Sequence, residues 1–389
     1  MNASQPSPAE SPAVGRPIPV SQPWLDHREA ALVQEAVSQG AISGFFGSHL
    51  ERFEREFASF CGVAHGVAVS NGTTALHVAL KALNIGPGDD VLVATTTNMA
   101  TFFAVLYTGA RPIPVDIEPD TFNLNPALLP SLLTPRTRAI VVVHLFGHPV
   151  DMEPVNQFAG KHNLRVIEDC AEAHGAEYFG KRVGSLSDIG CFSFYANKII
   201  TTGEGGMCVT HDASLAKEMR SLKSLAFGPV NKFMHRAVGF NYRMTNLQAA
   251  VGCAQMEKIE TIILNKRRIA ERYSAHFAHL PCVQRPSERP HVKSVFWMYH
   301  IGLRGPLAPF RNEIMGTLAE RGIETREGFI PFNLQEIFIR DGLTHPAECP
   351  VAHDAAYRTL YLPSSPLLTD PEIDYVAEQV QIALASLPL

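Results

Sequence analysis

The sequence predicts an α/β protein with a mostly parallel sheet in a large domain and a smaller α+β domain at its carboxyl end. Between Val67 and Thr210, short apolar runs alternate with longer stretches of helical character. The runs are rich in β-branched residues and lack a polar alternation, which is typical of strands that are buried on both faces. Ligands of such sheets bind at the carboxyl ends of the strands, so the residues that end each run are the first candidates for function.

The predicted elements follow in chain order. Residues 27–60 are predicted to be helical, because apolar side chains recur there at helical spacing. Strands of the sheet are predicted at 67–70, 91–94, 111–116, 139–146, 165–169, 189–194 and 207–210. Helices are predicted between strands at 74–85, 99–109 and 153–163, and a long helix at 245–280. The remainder predicts a strand at 295–303 and helices at 309–322 and 371–387.

This pattern divides the chain into three parts. Residues 1–16 are rich in Pro, Ser and Ala and are predicted to be a disordered tail. They lack the basic and apolar regions of a secretory signal. Residues 17–264 are predicted to form the large domain and residues 265–389 the small domain.

Composition and charge exclude several classes of binding partner. The 389 residues are 46% hydrophobic and 18% charged, with a net charge of −5. No run of lysine and arginine suggests a nucleic acid or membrane partner, and no apolar stretch approaches the roughly 20 residues that span a bilayer. Seven scattered cysteines without a CxxC pair predict thiols in a reducing compartment, here the cytoplasm, and give no reason to expect a metal site.

Lys198 is the strongest candidate for chemistry. It lies in the segment FSFYANKIITTGEGGM, and no other lysine or arginine occurs between Arg182 and Lys217. A lysine in such an apolar neighbourhood loses hydration, so its pKa falls and the neutral amine becomes a nucleophile toward carbonyl groups. Lys198 could therefore carry an aldehyde cofactor as a Schiff base.

A pyridine-type cofactor with a phosphate also needs an anion for its ring nitrogen. Asp169 ends the strand LRVIED and is the candidate, although an aspartate at this position could simply cap the next helix. Glu172 and His174 follow and could reach the ring hydroxyl or shield the site. Glu168 is predicted to point to the opposite face of the sheet, because side chains alternate along a strand.

The candidate phosphate cradle is the segment SNGTTALH at residues 70–77. Gly72 permits a tight turn, and Thr73 begins a helix whose free N–H groups attract a phosphate. An ordinary glycine turn with a threonine cap would have the same sequence. Ser193 could add a hydroxyl group to the same phosphate.

Together these segments resemble the pyridoxal-phosphate-dependent sugar aminotransferases of the DegT type, which have the aspartate-aminotransferase fold (fold type I). The resemblance extends over nearly the whole chain after the tail. It rests on six ordered segments, namely SNGTTALHVAL, GPGDDVLV, TPRTRAIVVVHLFG, VIEDCAEAHGA, FSFYANKIITTGEGGM and GFNYRMTNLQAAVGCAQ. Within the family, NKIITTGEGGM and FNYRMTNLQAA most resemble the GDP-perosamine synthases, which aminate C4 of GDP-4-keto-6-deoxymannose.

The resemblance implies the roles of individual residues. Lys198 would hold pyridoxal 5′-phosphate, Asp169 would face its pyridine nitrogen and Glu172 would lie near its ring hydroxyl. Gly72, Thr73 and Ser193 would hold the phosphate, and Asn241 would reach it from the neighbouring subunit of a homodimer. The amino donor would be L-glutamate and the acceptor a nucleotide sugar. A related dehydratase has histidine in place of the lysine, so the retained Lys198 favours transamination.

Three segments depart from the pattern of the relatives. Asn98 stands where relatives place an aromatic residue over the cofactor ring, so the ring face would be covered by Met99, by another group or by nothing aromatic. His148 stands near a position that is commonly glutamine. The stretch GFIPFNLQEIF at 328–338 replaces a histidine-containing segment at the sugar end of the site.

These departures leave alternatives open. They include amination at C3, a different nucleotide sugar, and a regulator or lyase that binds the cofactor without transamination. A Rossmann-type oxidoreductase is disfavoured, because no GxGxxG follows the first strand.

Overall fold

The computed structural model describes residues 17–45, 47–228, 230–235 and 237–387. The predicted disordered tail at 1–16 lies outside the described residues.

The elements are numbered in chain order. The strands are β1 His65–Val69, β2 Asp90–Ala94, β3 Arg111–Val115, β4 Thr137–Val143, β5 Arg165–Asp169, β6 Glu177–Tyr178, β7 Lys181–Arg182, β8 Ile189–Ser193, β9 Gly206–Thr210, β10 Val283–Gln284, β11 Val292–Lys293, β12 Tyr299–Leu303, β13 Arg326–Glu327 and β14 Thr359–Leu362. The α-helices are α1 His27–Ser38, α2 Ser48–Cys61, α3 Gly72–Ala82, α4 Ala100–Tyr107, α5 Leu129–Leu132, α6 Met152–His162, α7 Ala213–Leu222, α8 Asn246–Met256, α9 Ile259–His276, α10 Arg311–Glu320, α11 Glu336–Arg340, α12 Pro350–Arg358 and α13 Asp370–Ala385.

A seven-stranded sheet forms the centre of the large domain, in the order β1-β9-β8-β5-β4-β2-β3. The pairs β2–β3, β2–β4, β4–β5 and β5–β8 are parallel, and β9 runs antiparallel to both its neighbours. Each of the seven predicted strands corresponds to one strand of this sheet. The predicted α/β class with a mostly parallel sheet is therefore confirmed.

Apolar side chains fill both faces of this sheet, as the continuous apolar runs indicated. One buried cluster includes Phe53, Phe57 and Phe194, and the cluster on the other face includes Val67, Val93 and Phe102. Burial on both faces explains why the strands read as continuous apolar segments. It also fixes the strand ends, where the polar residues of the site are placed.

A four-stranded antiparallel sheet, β10-β12-β14-β13, forms the small domain with α9, α10 and α13 around its core. Helix α9 contributes Ile262 and Ile263 to the large-domain core and Ile269 and Tyr273 to the small-domain core. The predicted domain boundary between residues 264 and 265 falls inside this helix and stays a prediction.

Two predictions of uninterrupted helix were wrong. Residues 27–60 form α1 and α2 with a loop between them, where Gly40 has a φ of 66° and Asn246 donates to the Ala41 carbonyl. The segment 245–280 forms α8 and α9, which are separated at Lys258. The Lys258 ammonium binds Asp26 and Glu29, so contacts with α1 hold the break in place.

The seven cysteines are all free thiols, and six of them are buried. Across the described part of the chain, no helix combines the length and the apolar character needed to cross a membrane.

Candidate active site

A cavity of about 460 Å³ lies between the two domains. Large-domain residues line it at the carboxyl ends of β5 and β8 and at the start of α3, and small-domain residues close it from the other side. The small domain contributes Trp297, Met298, Arg326, Phe329 and Tyr361. The cavity therefore lies at the edge of the sheet where ligands of this fold class bind.

The turn before α3 leaves backbone donors free for a ligand. Asn71 caps the helix, because its Oδ1 accepts from the Thr74 N–H at 2.9 Å. Within the described chain, the Gly72 and Thr73 N–H groups donate to no other protein atom, and both residues line the cavity. Free N–H groups at a helix N-terminus bind anions, so this turn can hold a phosphate as predicted.

Close backbone packing makes this turn possible. A Cβ atom added at Gly72 would lie 2.8 Å from Ser193 Cβ, and one added at Gly206 would lie 2.4 Å from the Asn71 carbonyl oxygen. Residues with side chains at these two positions would displace the turn from β8 and β9. The same packing brings the Ser193 side chain beside the free N–H groups of the turn.

Asp169 is the last residue of β5 and lines the cavity. Its Oδ2 accepts from the Thr101 hydroxyl at 2.8 Å, and its Oδ1 accepts from the Ala171 N–H at 3.1 Å. Burial raises the pKa of this carboxyl, while the hydrogen bond from Thr101 and the charge of Lys198 oppose that shift. A buried carboxylate with few partners is well suited to bind a cationic ring nitrogen.

Lys198 lies in the same cavity, and its side chain is 10% exposed. Its Nζ is 3.7 Å from Glu172 Oε1 and 4.1 Å from the centroid of the Trp297 ring. Burial lowers the pKa of the Lys198 ammonium, and the carboxylates of Glu172 and Asp169 oppose this effect. The amine is therefore closer to its nucleophilic form than an exposed lysine would be.

Glu172 is held beside the lysine by the chain that follows β4. Its Oε2 accepts from the Phe146 N–H at 2.9 Å. Burial raises the pKa of Glu172 to about 7, although the nearby Lys198 charge acts in the opposite direction. Glu172 can therefore exchange a proton near neutral pH.

The predicted phosphate, ring and lysine residues meet in one cavity. Its lining includes Gly72, Thr73, Asn98, Asp169, Glu172, Ser193 and Lys198. Asn98 is exposed, and its Oδ1 caps the following backbone by accepting from the Ala100 N–H. Met99 is half-buried against the apolar core beside α4 and does not line the cavity, so it does not cover a ring there.

Asn241 is exposed and does not line the cavity of its own chain. It pairs with Ser224 in an isolated bridge, next to Tyr242, whose carbonyl accepts from the Ser70 N–H. Its predicted contact with a neighbouring subunit stays a prediction.

The expectation that His174 could reach the ring hydroxyl or shield the site was wrong. His174 does not reach the cavity, because the chain turns after Glu172 and buries the imidazole against Phe57, Phe192 and Phe194. Burial lowers the pKa of His174 to about 3, so it is neutral.

The segments near 148 and at 328–338, which differ from the pattern of the relatives, contribute little to the cavity surface. His148 is buried beside Asn123, and burial lowers its pKa to about 4. In the second segment only Phe329 lines the cavity. Phe332 instead stacks on Phe102 at 4.0 Å, which anchors this stretch to the large domain.

Sequence reasoning missed the small-domain side of the site and Thr101. Trp297, Arg326 and Tyr361 are remote in sequence from the motifs of the large domain. Arg326 and Tyr361 are direct partners across β13 and β14, so their side chains share one face of the small sheet. The available signal was Trp297, which lies on the predicted strand 295–303, whereas no element was predicted around Arg326 or Tyr361.

Glu168 faces away from the cavity, as strand alternation predicted. Its carboxylate interacts with His144 Nε2 at 3.0 Å and accepts from the Gly184 and Leu186 N–H groups and from Ser187 Oγ. His144, Glu168 and Cys170 are close enough to hold a metal ion. The hydrogen bonds already use both carboxylate oxygens of Glu168, so the cluster serves to brace the end of β5.

Known proteins resemble the chain over nearly its whole length. Residues 23–381 match the DegT/DnrJ/EryC1/StrS aminotransferase family. GDP-perosamine synthase of Caulobacter vibrioides is 43% identical over 92% of this chain and 96% of that protein. GDP-perosamine synthase of Escherichia coli O157:H7 is 41% identical over 93% of this chain and 97% of that protein.

A solved structure shows the same fold. The PLP-form of the putative sugar aminotransferase Spr1654 from Streptococcus pneumoniae superposes with a TM-score of 0.90 at 26% identity, covering 96% of this chain and 100% of that one. With its fold and its buried lysine site, the chain belongs to the DegT/DnrJ/EryC1/StrS aminotransferase family. The resemblance stated from the sequence motifs is confirmed.

Proposed function

We propose that this protein is a pyridoxal-phosphate-dependent aminotransferase that transfers the amino group of L-glutamate to C4 of a GDP-4-keto-6-deoxyhexose. The observation that carries the reaction class is the Lys198 amine, which is buried in the cavity beside Glu172. The sugar and the position of amination rest on relatives named GDP-perosamine synthase at 41–43% identity. These relatives do not favour amination at C3 or a non-transaminating role.

The residues of the cavity fit pyridoxal phosphate. The free N–H groups of Gly72 and Thr73 and the Ser193 hydroxyl suit its phosphate. The Asp169 carboxylate suits a protonated pyridine nitrogen, and the Lys198 amine suits the aldehyde. The absence of a side chain at Gly72 keeps the phosphate region open.

Pyridoxal phosphate, when bound, supplies an aldehyde that takes up an amino group and a ring that accepts negative charge from the carbon bearing it. Lys198 supplies the base, because its amine lies in the cavity and burial lowers its pKa. Once free, that amine would take the proton from the α-carbon of the donor and pass it to the cofactor carbon that receives the amino group. In the sugar half of the reaction it would move a proton the other way, to the sugar carbon that is aminated. Asp169 favours the protonated ring nitrogen by its negative charge.

Two features of the cavity suit the proposed substrates, namely its charge and its size. Arg326 brings a guanidinium to the small-domain side of the cavity, where a carboxylate or a diphosphate can accept its hydrogen bonds. The cavity is also wide enough for a sugar beside a cofactor ring, since drug-sized ligands occupy cavities of about 300–1,000 Å³. Glutamate and a nucleotide sugar are both anions, and each would bind at the small-domain side of the cavity in its own half of the reaction.

The active assembly in this proposal is a homodimer in which Asn241 contacts the phosphate bound by the neighbouring subunit. Asn241 is exposed and available for such a contact. Val230, Phe233, Met234 and Val238 precede it, and their side chains are at least 62% exposed. Large apolar side chains at this exposure are typical of a surface that another chain covers.

The proposal is tested by incubating the protein with pyridoxal phosphate, L-glutamate and a panel of nucleotide sugars with a 4-keto or a 3-keto group. Mass analysis is expected to show an amino group on a GDP-4-keto-6-deoxyhexose and formation of 2-oxoglutarate. Amination of a 3-keto sugar alone would overturn the position of attack. Bound cofactor without amination of any sugar would favour the regulator or lyase.

A further inference from the structure

The indole ring of Trp297 lies against the Lys198 amine. The ammonium nitrogen lies 4.1 Å from the centroid of the indole ring, within the range of a cation–π interaction. The tryptophan itself is 3% exposed and lines the cavity. It therefore approaches Lys198 from the small domain, as a second close neighbour of the amine beside Glu172.

Three hydrogen bonds fix the position of this tryptophan. Its indole N–H donates to the Asn197 carbonyl at 2.7 Å, and its backbone N–H donates to the Phe146 carbonyl at 3.0 Å. The Lys266 ammonium donates to the Trp297 carbonyl at 2.9 Å and also to the carbonyl of Ser364. The ring is thus tied to the residue before Lys198, to the loop that holds Glu172 and to helix α9.

Phe146 connects Trp297 and Glu172, the two neighbours of the Lys198 amine. Phe146 donates to Glu172 from its N–H and accepts from Trp297 at its carbonyl. The carboxylates that act on Lys198 belong to Glu172 and Asp169, and the His174 imidazole, whose pKa burial and the Lys198 charge both lower, is neutral. An aromatic face stabilises an ammonium and not a neutral amine. The ring therefore raises the pKa of Lys198, as the two carboxylates do, whereas burial lowers it.

We propose that Trp297 is a positioning residue that holds the Lys198 side chain in place and favours its charged form before the cofactor is engaged. Glu172 alone could draw the amine away from the cavity centre by direct pairing. The indole face gives the ammonium a second, non-acidic partner, so the amine stays between the two. The tie to α9 also makes the position of the lysine depend on the packing of the small domain.

The inference rests on the proposed function only in taking Lys198 as the reacting amine. Its test is the pH dependence of Lys198 acetylation in the full-length chain freed of pyridoxal phosphate, measured by mass spectrometry of the Lys198 peptide. Each rate is expressed relative to its plateau at high pH, so that a change in access to the reagent cancels.

Trp297→Leu is expected to lower the midpoint of this profile, so that below the midpoint Lys198 reacts about fivefold faster relative to its plateau. Trp297→Phe keeps an aromatic face and is expected to restore most of the original midpoint. A Trp297→Leu midpoint that stays the same or rises would overturn the proposal. So would Trp297→Leu and Trp297→Phe variants with equal midpoints.

Circular dichroism and thermal unfolding show whether each variant is folded, and Trp297→Phe keeps the test usable where Trp297→Leu does not fold. In that case, a Trp297→Phe midpoint equal to that of the unmodified chain supports the ring-face role, and a large shift overturns it. Failure of the proposed function is separate: the unmodified chain would then give no absorbance band with pyridoxal phosphate, whatever the acetylation profiles show.

Discussion

Thr101 donates a 2.8 Å hydrogen bond to Oδ2 of Asp169, and both groups are buried at the start of α4 and the end of β5. This bond opposes the effect of burial on the pKa of Asp169 and so favours the carboxylate form. The first turn of α4 therefore helps to keep the negative charge that would face the cofactor ring.

Replacing Asp169 with Asn should preserve the fold and abolish most of the activity. The amide has the same shape but no negative charge to favour a protonated ring nitrogen. We expect turnover to fall by roughly 10²-fold or more, with an unfolding temperature close to that of the unmodified protein. Thr101→Val is the matched control and should cause a smaller loss, because it removes one hydrogen bond and keeps the charge. Equal losses in both variants would argue against a role for the charge.

Gly72→Ala should weaken cofactor binding through the phosphate. The added Cβ would lie 2.8 Å from Ser193 Cβ, so the turn must move and its free N–H groups with it. We expect the Kd for pyridoxal phosphate, measured by absorbance titration, to rise about tenfold or more, since one such displaced charged hydrogen bond is worth about 1.5–3 kcal/mol. Gly160→Ala serves as the control, because no atom lies within 4 Å of a Cβ there. An unchanged Kd in Gly72→Ala would place the phosphate elsewhere.

Glu172 should make the stability of the cofactor-free protein depend on pH. Burial raises its pKa to about 7 from an ordinary value of 4.5. Because the folded state then holds the proton more tightly, the contribution of this group to stability is fully present below about pH 4.5 and is lost as pH rises through about 7. The loss is on the order of 3 kcal/mol.

The measurement compares Glu172→Gln with the unmodified chain between pH 5 and about 8. The variant cannot titrate, so its unfolding temperature relative to the unmodified chain should rise across this range. Two curves that stay parallel would show that Glu172 does not titrate there.

Lys266 should produce the opposite trend. Burial lowers the pKa of its ammonium to about 7 from an ordinary value of 10.5. The unfolded chain then binds the proton more tightly, so a stability penalty is present below about pH 7 and is relieved as pH rises toward 10.5. The unfolding temperature of the unmodified chain should therefore rise relative to Lys266→Met between pH 7 and about 9. A constant difference would contradict the lowered pKa.

The cofactor side of the site could be predicted from the sequence because its residues end strands or start helices. Asp169 ends the five-residue buried strand β5, and Gly72 begins α3 two residues after β1. Strand ends of a parallel sheet meet at one edge, so local patterns were enough to bring these residues together with Lys198.

The substrate side could not be predicted in the same way. Trp297, Arg326 and Tyr361 reach the cavity only because the small domain packs against the large one. No local periodicity encodes that packing. His174 shows the reverse error, since its sequence position near Glu172 suggested the site while the turn buries it among aromatic rings.

Helix breaks were also beyond the sequence patterns. Residues around Lys258 are good helix formers, and the break there depends on ion pairs with Asp26 and Glu29 more than 200 residues away. Long-range contacts of this kind override local helix propensity.

The central claim is that Lys198 is the amine that holds the cofactor. Borohydride reduction of the protein with bound pyridoxal phosphate, followed by mass analysis of peptides, tests it most directly. The account predicts a pyridoxyl adduct on the peptide that contains Lys198, and its loss together with turnover in Lys198→Ala. An adduct found only on another lysine, or turnover retained in Lys198→Ala, would contradict it.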